Sequence, residues 1–272
     1  MWRCPFGDTV AARLLLRCRS ARLTGAAGVR IGVVSDIHSN LVAFEAVLDA
    51  LRPIDQLWCL GDIVGYGPRP NECVELLKSE RKHLAVAGNH DCAAIGKIGI
   101  DDFNTFAALA AQWTADQLSA ETRAYLQALP TLTAAGEFTL AHGSPRGPIW
   151  EYLLDANAAR LSFDHFEGPF CLVGHTHVPS IFARSPEGDV QAHRILGSAE
   201  IELGRPGWRF ILNPGSVGQP RDDDRRASCL AVDTDRGTAT WHRVEYDIAR
   251  TQEMMRQVKL PARLVERLAH GW

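Results

Sequence analysis

The sequence predicts an α/β protein in which β-sheets pack together and helices lie outside them. Two observations predict this fold. From Arg30 onwards, short apolar runs alternate with amphipathic segments of helical spacing, which is typical of strands connected by helices. The second half of the 272-residue chain is richer in strand patterns, which indicates sheets packed on one another. A hydrophobic content of 46% is sufficient for a substantial core.

The first half contains strands that are each followed by a helical segment. Its apolar strand patterns are residues 31–35, 57–60 and 84–87. Its helical patterns are residues 41–51, about 72–81 with Asn71 as the cap, and about 102–129, which Pro130 ends.

The second half has few helical signals before its end. Its predicted strands are residues 138–141, 170–173, 191–196, 209–212, 228–233 and 238–246. A helix is predicted over about 247–268, and the charge run DDDRR at 222–226 is interpreted as a solvated loop.

The composition excludes several classes of protein. The net charge of −3 gives no general basic field of the kind that non-specific nucleic-acid binders carry. The seven cysteines are scattered and never spaced C-x-x-C, which argues against a disulfide framework and favours a reducing, cytoplasmic location. No apolar run reaches the ~18 residues of a membrane helix. The expected partner is a small molecule, and a homo-oligomer remains possible.

The first 29 residues differ from the rest, with five arginines against the single acid Asp8. We interpret residues 1–29 as a poorly ordered extension, and a transit peptide is the alternative. The main domain is predicted over residues 30–246, followed by a helical tail at 247–272.

Polar side chains follow the apolar runs at the predicted strand ends. They are Asp36, His38, Asp62, Asn89, His90, Asp91, His142, His175 and His177. The spacing from Asp36 to Asp62 and from Asp62 to Asn89 is what one strand–helix crossover requires. Because such crossovers bring the carboxyl ends of parallel strands to one edge, these side chains are expected to meet there.

Seven of these residues are suitable metal ligands: two aspartates, one asparagine and four histidines. Imidazole with carboxylate suits Mn, Fe, Zn, Co or Ni, whereas calcium takes nearly all-oxygen ligation. Seven ligands are more than one ion usually takes, and two ions that share Asp62 would use them all. Each motif alone is more typical of a turn or a core histidine, so the prediction depends on the whole set.

These motifs resemble the complete signature of the calcineurin-like metallophosphoesterases. The matching elements are D-x-H at Asp36 and His38, G-D at 61–62, G-N-H-D at 88–91, His142 and G-H-x-H at 174–177. The resemblance covers residues 30–246. It implies two mixed β-sheets packed as a sandwich flanked by helices, in four αββα layers, and a dinuclear metal site.

The resemblance also implies roles for individual residues. One metal would take Asp36, His38, Asp62 and His177, and the other would take Asp62, Asn89, His142 and His175. His90 would donate a proton to the leaving group and Asp91 would orient it, while a bridging hydroxide would be the nucleophile. Two divalent ions are expected, Mn²⁺ first, with Fe, Zn, Ni or Co as alternatives.

The sequence departs from the protein phosphatases of this superfamily. Arginines that hold phosphate there are missing from GDIVGYG (61–67) and GNHDCA (88–93), which weakens that reading. NPGSVGQPRD at 213–222 resembles the bacterial and archaeal phosphodiesterase-like branch. Tyr66, Arg146 and Arg221 are candidate substrate contacts, although each arginine could equally lie in solvent. Trp150, Tyr152 and Phe166 are predicted either to line the pocket or to pack in the core.

The predicted function is metal-dependent hydrolysis of phosphodiesters or small phosphate esters, including nucleotide-derived ones. Asymmetrical hydrolysis of dinucleoside polyphosphates is an alternative, and a protein phosphatase is a weaker one. A non-catalytic scaffold with the same fold is the alternative of a different class, against which the complete ligand set argues.

Overall fold

A computed structural model describes residues 28–272 of the chain. The Arg-rich segment predicted for residues 1–29 therefore lies almost entirely outside the described residues. Within them, two six-stranded mixed sheets pack face to face with helices on their outer surfaces. This confirms the predicted αββα sandwich.

The first sheet combines strands from both ends of the described chain, in the order β3-β2-β1-β11-β12-β9. Its strands are β1 Arg30–Val34, β2 Gln56–Cys59, β3 His83–Ala85, β9 Ala199–Glu202, β11 Ala227–Asp233 and β12 Thr238–Val244. The strands β1, β2 and β3 are parallel, whereas β11, β12 and β9 pair antiparallel.

The second sheet comes from the middle of the chain, in the order β4-β5-β6-β10-β7-β8. Its strands are β4 Leu132–Ala135, β5 Phe138–Ala141, β6 Phe170–Leu172, β7 Ser180–Arg184, β8 Val190–Arg194 and β10 Arg209–Asn213. Here β5, β6 and β10 are parallel and the outer strands are antiparallel.

The helices fill the outer layers and the ends of the sandwich. They are α1 Leu41–Leu51, α2 Pro70–Ser79, α3 Asn89–Ala94, α4 Thr105–Gln117, α5 Ala120–Ala128, α6 Ala156–Ser162, α7 Ile248–Gln257 and α8 Ala262–Arg267. None of the helices between residues 28 and 272 combines the length and apolarity needed to span a bilayer.

The core forms layers because successive residues of a strand face opposite sides of the sheet. In β2, Trp58 points into the cluster between the sheets, and Leu57 and Cys59 point into the cluster under α1. Cys171 of β6 likewise packs towards α6, while its neighbour Phe170 packs between the sheets. Cysteines 59, 73, 92, 171 and 229 are all buried and free, as the absence of a pairing pattern predicts.

The predicted elements are present, but several boundaries and short elements differ. The helix predicted from Glu72 begins at Pro70, and the Asn71 side chain contacts Gln117 and Ser119 instead of capping it. The mostly helical stretch predicted over about 102–129 contains two helices, because Ser119 caps a new one. The helix predicted over 247–268 is also interrupted, since Lys259 has a positive φ and Pro261 precedes α8.

The elements missed at the sequence level are short or lie at sheet edges. They are α3, α6, β4, β7 and β9. The run DDDRR does lie outside any helix or strand, but it is only partly solvated. Asp222 is buried because its carboxylate pairs with the guanidinium of Arg243, which is also buried.

Candidate metal centre

The seven predicted ligands follow the parallel strands of both sheets. Asp36 and His38 follow β1, Asp62 follows β2, and Asn89 follows β3 as the first residue of α3. In the second sheet, His142 follows β5, and His175 and His177 follow β6. Every one of these side chains is at most 4% exposed. The packing of the two sheets therefore brings all seven to one buried place.

One group of donors consists of Asp36, His38 and His177, whose ligand atoms converge. The Nε2 atoms of His38 and His177 are 3.2 Å apart. The Nε2 of His177 also lies 3.2 Å from Oδ1 of Asp36. That oxygen is buried without a hydrogen-bond partner, whereas Oδ2 accepts the backbone N–H of His175.

A second group consists of Asp62, His142 and His175, with Asn89 beside them. The Nε2 of His142 lies 3.1 Å from Nδ1 of His175 and 3.0 Å from Oδ1 of Asn89. It is also 3.3 Å from Oδ2 of Asp62.

Asp62 lies between the two groups. Its Oδ2 atom is 3.6 Å from Nε2 of His38 in the first group and 3.3 Å from Nε2 of His142 in the second. Its Oδ1 atom accepts the backbone N–H of His90 at 2.8 Å, so that the orientation of the carboxylate is fixed.

The spacing of these atoms fits ligands that surround cations. Atoms bound at ~2.0–2.2 Å to one ion lie about 3.0–3.5 Å from each other, which is the range of the separations between His38 and His177 and between His142 and His175. Three of the imidazoles also have their other nitrogen held by a backbone carbonyl. Nδ1 of His38, His142 and His177 lies 3.2, 2.8 and 2.5 Å from the oxygens of Val64, Leu60 and Gln219. A ring that donates from Nδ1 presents the lone pair of Nε2 to a metal.

The backbone around the ligands is held in unusual conformations. Positive φ angles occur at Asp36, His38, Asp62, His175 and His177. Such conformations cost about 1–3 kcal/mol each. They turn the chain sharply after β1, β2 and β6, which allows His175 and His177 to lie in different groups although they are only two residues apart.

The electrostatics of the site favour the ionic forms that bind cations. Burial works against the charge of Asp36, but His177 and His142 hold the pKa of this carboxyl below its usual value. Burial lowers the pKa of His38 and His175 well below the ordinary value. Burial also opposes charging of His142, but the adjacent Asp62 carboxylate raises its pKa to about 9. Ionised carboxylates and neutral imidazoles are the forms that bind metals, and a cation would displace the proton of His142.

His90 lines the pocket over the donors, but the expected contact with Asp91 is absent. The Asp91 carboxylate accepts the backbone N–H groups of Val64 and Gly88, each at 3.0 Å. Nδ1 of His90 is buried without a hydrogen-bond partner. Asp91 therefore stabilises the two loops beside Asp62 and does not orient the imidazole. Burial lowers the pKa of His90 to about 4.

Two of the three predicted substrate contacts lie at the pocket, which has a volume of about 80 Å³. Tyr66 and Arg221 line it, with the guanidinium of Arg221 5.9 Å from the centre of the Tyr66 ring. Arg146 is instead paired with Glu151 and is not part of the pocket wall. A contact between Arg146 and substrate stays a prediction, and the pairing of Arg146 with Glu151 does not favour it.

The aromatic residues near the pocket divide between its wall and the core. Trp150 and Tyr152 line the pocket, and the ring of Tyr152 stacks on His175 at 3.9 Å. Phe166 packs instead in the core beside Phe163. Phe103 also lines the pocket, against His90. It was missed because the sequence signal there is only that of a helical region.

Comparisons with known proteins agree with this geometry. Residues 29–237 match the model of the calcineurin-like phosphoesterase superfamily domain. A solved metallophosphoesterase from Sphaerobacter thermophilus is 47% identical, with a TM-score of 0.82, and the match covers 90% of this chain and 100% of that one.

Two further relatives are similar in sequence. An uncharacterized protein of Methanocaldococcus jannaschii is 40% identical over 248 residues, which are 89% of this chain and 98% of that protein. A symmetrical bis(5'-nucleosyl)-tetraphosphatase of Haemophilus ducreyi is 27% identical over 192 residues, 66% of this chain and 64% of that enzyme.

Proposed function

We propose that this chain, which belongs to the calcineurin-like phosphoesterase superfamily, hydrolyses phosphodiesters or small phosphate esters. The reaction would take place at a dinuclear metal site. The observation that carries the proposal is the position of Asp62. One oxygen of its carboxylate faces both donor groups, at 3.6 Å from His38 and 3.3 Å from His142. A shared carboxylate is the arrangement that lets two ions lie side by side.

The donor set supports two divalent transition-metal ions, for which we propose Mn²⁺ first and Fe, Zn, Ni or Co as alternatives. Asp36, His38, Asp62 and His177 would hold one ion. Asp62, Asn89, His142 and His175 would hold the other. When bound, the ions would lower the pKa of a water molecule and neutralise charge on the phosphoryl oxygens.

The chain's own residues would position the ester and complete the proton transfers. We assign His90 to protonate the leaving oxygen, because its ring lines the pocket and the negative charge of a bound ester would raise the pKa that burial lowers. General acids in such positions speed bond cleavage by about 10²–10⁴-fold. Arg221 would contact the phosphoryl group from the pocket wall, where its buried Nε has no hydrogen-bond partner. The aromatic rings of Trp150 and Tyr152 would exclude water from one side.

Nucleotides are a second candidate class of substrate. The Haemophilus ducreyi relative is named for hydrolysis of a bis(5'-nucleosyl) tetraphosphate, and this supports nucleotide anhydrides beside simple esters. A protein phosphatase is less favoured, because a pocket of about 80 Å³ framed by Trp150 and Tyr152 gives little access to a folded surface. The buried and complete donor set argues against a non-catalytic scaffold.

The test compares hydrolysis of bis(p-nitrophenyl) phosphate and p-nitrophenyl phosphate with added Mn²⁺ and after chelation. We expect Mn²⁺-dependent turnover that is lost with the chelator, and at least ~100-fold lower kcat in His90→Ala. His83→Ala is the matched control, because this histidine bonds the backbone of Glu80, far from the pocket. A strong preference for the monoester would remove the diesterase assignment, and no turnover with any of the five metals would favour the scaffold.

A further inference from the structure

A second cleft adjoins the pocket over the metal donors. It has a volume of about 320 Å³, and its walls include Tyr66, Asn104, Phe106, Arg263, Arg267 and Trp272. Tyr66 and Asn104 belong to the walls of both cavities. The pocket at the donors, at about 80 Å³, is far below the ~300–1,000 Å³ of usual small-molecule sites. A ligand larger than a phosphoryl group therefore has to extend beyond it, and the cleft offers that space.

The cleft carries positive charge from two arginines of α8, of which Arg267 donates from Nε to the main-chain oxygen of Trp272. Arg263 and Arg267 are four residues apart on α8 and so lie on the same face of the helix. Within residues 28–272, neither they nor Arg221 forms a salt bridge with an aspartate or glutamate. Burial, together with the charges of Arg221 and Arg263, lowers the pKa of Arg267 to about 10. Guanidinium groups kept close together without aspartate or glutamate partners are typical of phosphate-binding sites.

The cleft also has two aromatic walls. The guanidinium of Arg263 lies 5.5 Å from the centre of the Phe106 ring and 6.0 Å from that of Trp272. Trp272 is 44% exposed, and His270 stacks on one side of its indole with the ring centres 5.7 Å apart, so a further ring would stack on the other side. Flat aromatic bases stack on such side chains with about 1–3 kcal/mol per base in single-stranded nucleic-acid sites.

The position of α8 is fixed by packing. Leu264, Val265 and Leu268 are buried in a cluster with Tyr66 and Ala107. Because Tyr66 also lines the pocket, the arginines of α8 are held at a constant position relative to the metal donors. A rigid arrangement of this kind can select one length of ligand.

We propose that this cleft is a subsite for the non-reacting part of a nucleotide substrate with at least two linked phosphates. The proposal rests on the phosphoesterase function proposed above. The reacting phosphate lies at the metal donors and against Arg221, a neighbouring phosphate lies between Arg221 and Arg267, and the base lies between Phe106 and Trp272 with Arg263 beside it. In the hydrolysis, one P–O bond of the anhydride breaks. Water supplies the hydroxyl to the phosphoryl group and a proton to the departing phosphate.

The test measures binding and turnover separately. Binding of ADP to the Mn²⁺-loaded protein is measured by calorimetry for the wild type, Arg263→Gln, Arg263→Gln/Arg267→Gln and Trp272→Ala. We expect the affinity to fall about tenfold in the single arginine variant and at least tenfold in the double variant. In Trp272→Ala it should fall by at least about fivefold, because one stacking partner of the base is lost. Arg256→Gln is the matched control, because Arg256 is an exposed arginine of α7 that pairs with Glu253. It should bind ADP like the wild type.

Turnover gives the second measurement. The ratio of kcat/KM for diadenosine tetraphosphate to that for bis(p-nitrophenyl) phosphate should fall at least tenfold in the double variant, because the second substrate has no additional phosphate. Unchanged ADP affinity in Arg263→Gln, whose exposed side chain leaves the fold intact, would overturn the proposal. A loss of ADP affinity in Arg256→Gln equal to that in Arg263→Gln would also overturn it. If the wild type binds ADP but hydrolyses neither substrate, the proposed function fails while the subsite stands.

Discussion

Asp62 is the residue whose carboxylate lies between the two donor groups. Replacing Asp62 with Asn keeps the size of the side chain but removes the negative charge between His38 and His142. Because the charge offsets repulsion between two cations, we expect the bound metal to fall to one ion or fewer per chain. Activity should fall by at least about 100-fold. Metal content by mass spectrometry and hydrolysis of bis(p-nitrophenyl) phosphate measure both effects.

The matched control for this change is Asp49→Asn on α1, where the side chain is 79% exposed. It should leave metal content and kcat unchanged. A variant of Asp62 that retained two ions per chain and full activity would contradict the shared-carboxylate assignment.

Gly88 supplies a second test at the level of one residue. A Cβ at this position would overlap Oδ1 and the backbone nitrogen of Asp62, while the backbone itself is extended, with a φ of −94°. Gly88→Ala should therefore displace the carboxylate without a cost from backbone strain. We expect reduced metal binding and a loss of about 1–3 kcal/mol in unfolding free energy.

Gly99→Ala is the control, because the nearest atom to its added Cβ is Oδ2 of Asp101 at 3.6 Å. Metal titration measures the metal binding of both variants, and urea unfolding measures their stability. If the two variants had the same metal affinity and the same unfolding free energy, the Gly88 position would not constrain Asp62.

The convergence of the candidate ligands was predictable from the sequence, but the hydrogen-bond partners of other candidate site residues were not. All seven ligand candidates converge as the strand-end pattern predicts. Asp91, by contrast, bonds the amides of Val64 and Gly88 instead of His90. Arg146 pairs with Glu151. These contacts depend on how loops fold against each other, and no local pattern encodes that geometry.

At the scale of elements, Asn40 connects three parts of the molecule. Its Oδ1 accepts the N–H of Ala43 as the cap of α1 and the hydroxyl of Thr251 on α7, and its Nδ2 donates to the carbonyl of Gly218. The side chain is only 2% exposed. Asn40→Ala leaves these groups without partners, so we expect a loss of about 2–4 kcal/mol in urea unfolding.

Asp155→Ala is the comparison, since Asp155 caps α6 from an exposed position with bonds to the amides of Asn157 and Ala158. Asp155→Ala should lower the unfolding free energy by ~1 kcal/mol. If the two variants lost the same stability, the bonds from Asn40 to α7 and Gly218 would contribute nothing measurable.

The accuracy of the predicted elements followed the strength of their periodic pattern. The helix α1 was predicted over its observed bounds because apolar residues repeat through its eleven positions. The strand β9 was missed because its sequence AEIE carries two acids at a sheet edge. The helix α6 was missed because its seven residues are too few for a clear period. Pro70 could have indicated the correct start of α2, since proline favours the first helical position.

At the scale of the whole molecule, the order of strands within each sheet was not predictable. β1 pairs with β11, which lies about 200 residues later in the chain, and β10 inserts between β6 and β7. Such pairings depend on long-range packing. The same topology divides the metal donors, because four of them follow strands of the first sheet and three follow strands of the second.

This division predicts that bound metal connects the two sheets. Asp36, His38, Asp62 and Asn89 come from one sheet, and His142, His175 and His177 come from the other. Ions held by both sets must be released before the sheets separate. Binding at 100 times the Kd therefore stabilises the folded protein by about 2.7 kcal/mol per ion. Calorimetric unfolding with Mn²⁺ and after chelation should show one transition whose Tm falls by several degrees when metal is removed, about 2–4 °C per kcal/mol.

The Asp62→Asn variant should show a smaller shift because it holds less metal. A wild-type Tm that does not respond to metal, or a transition that splits into two in both conditions, would mean that the ions do not join the sheets.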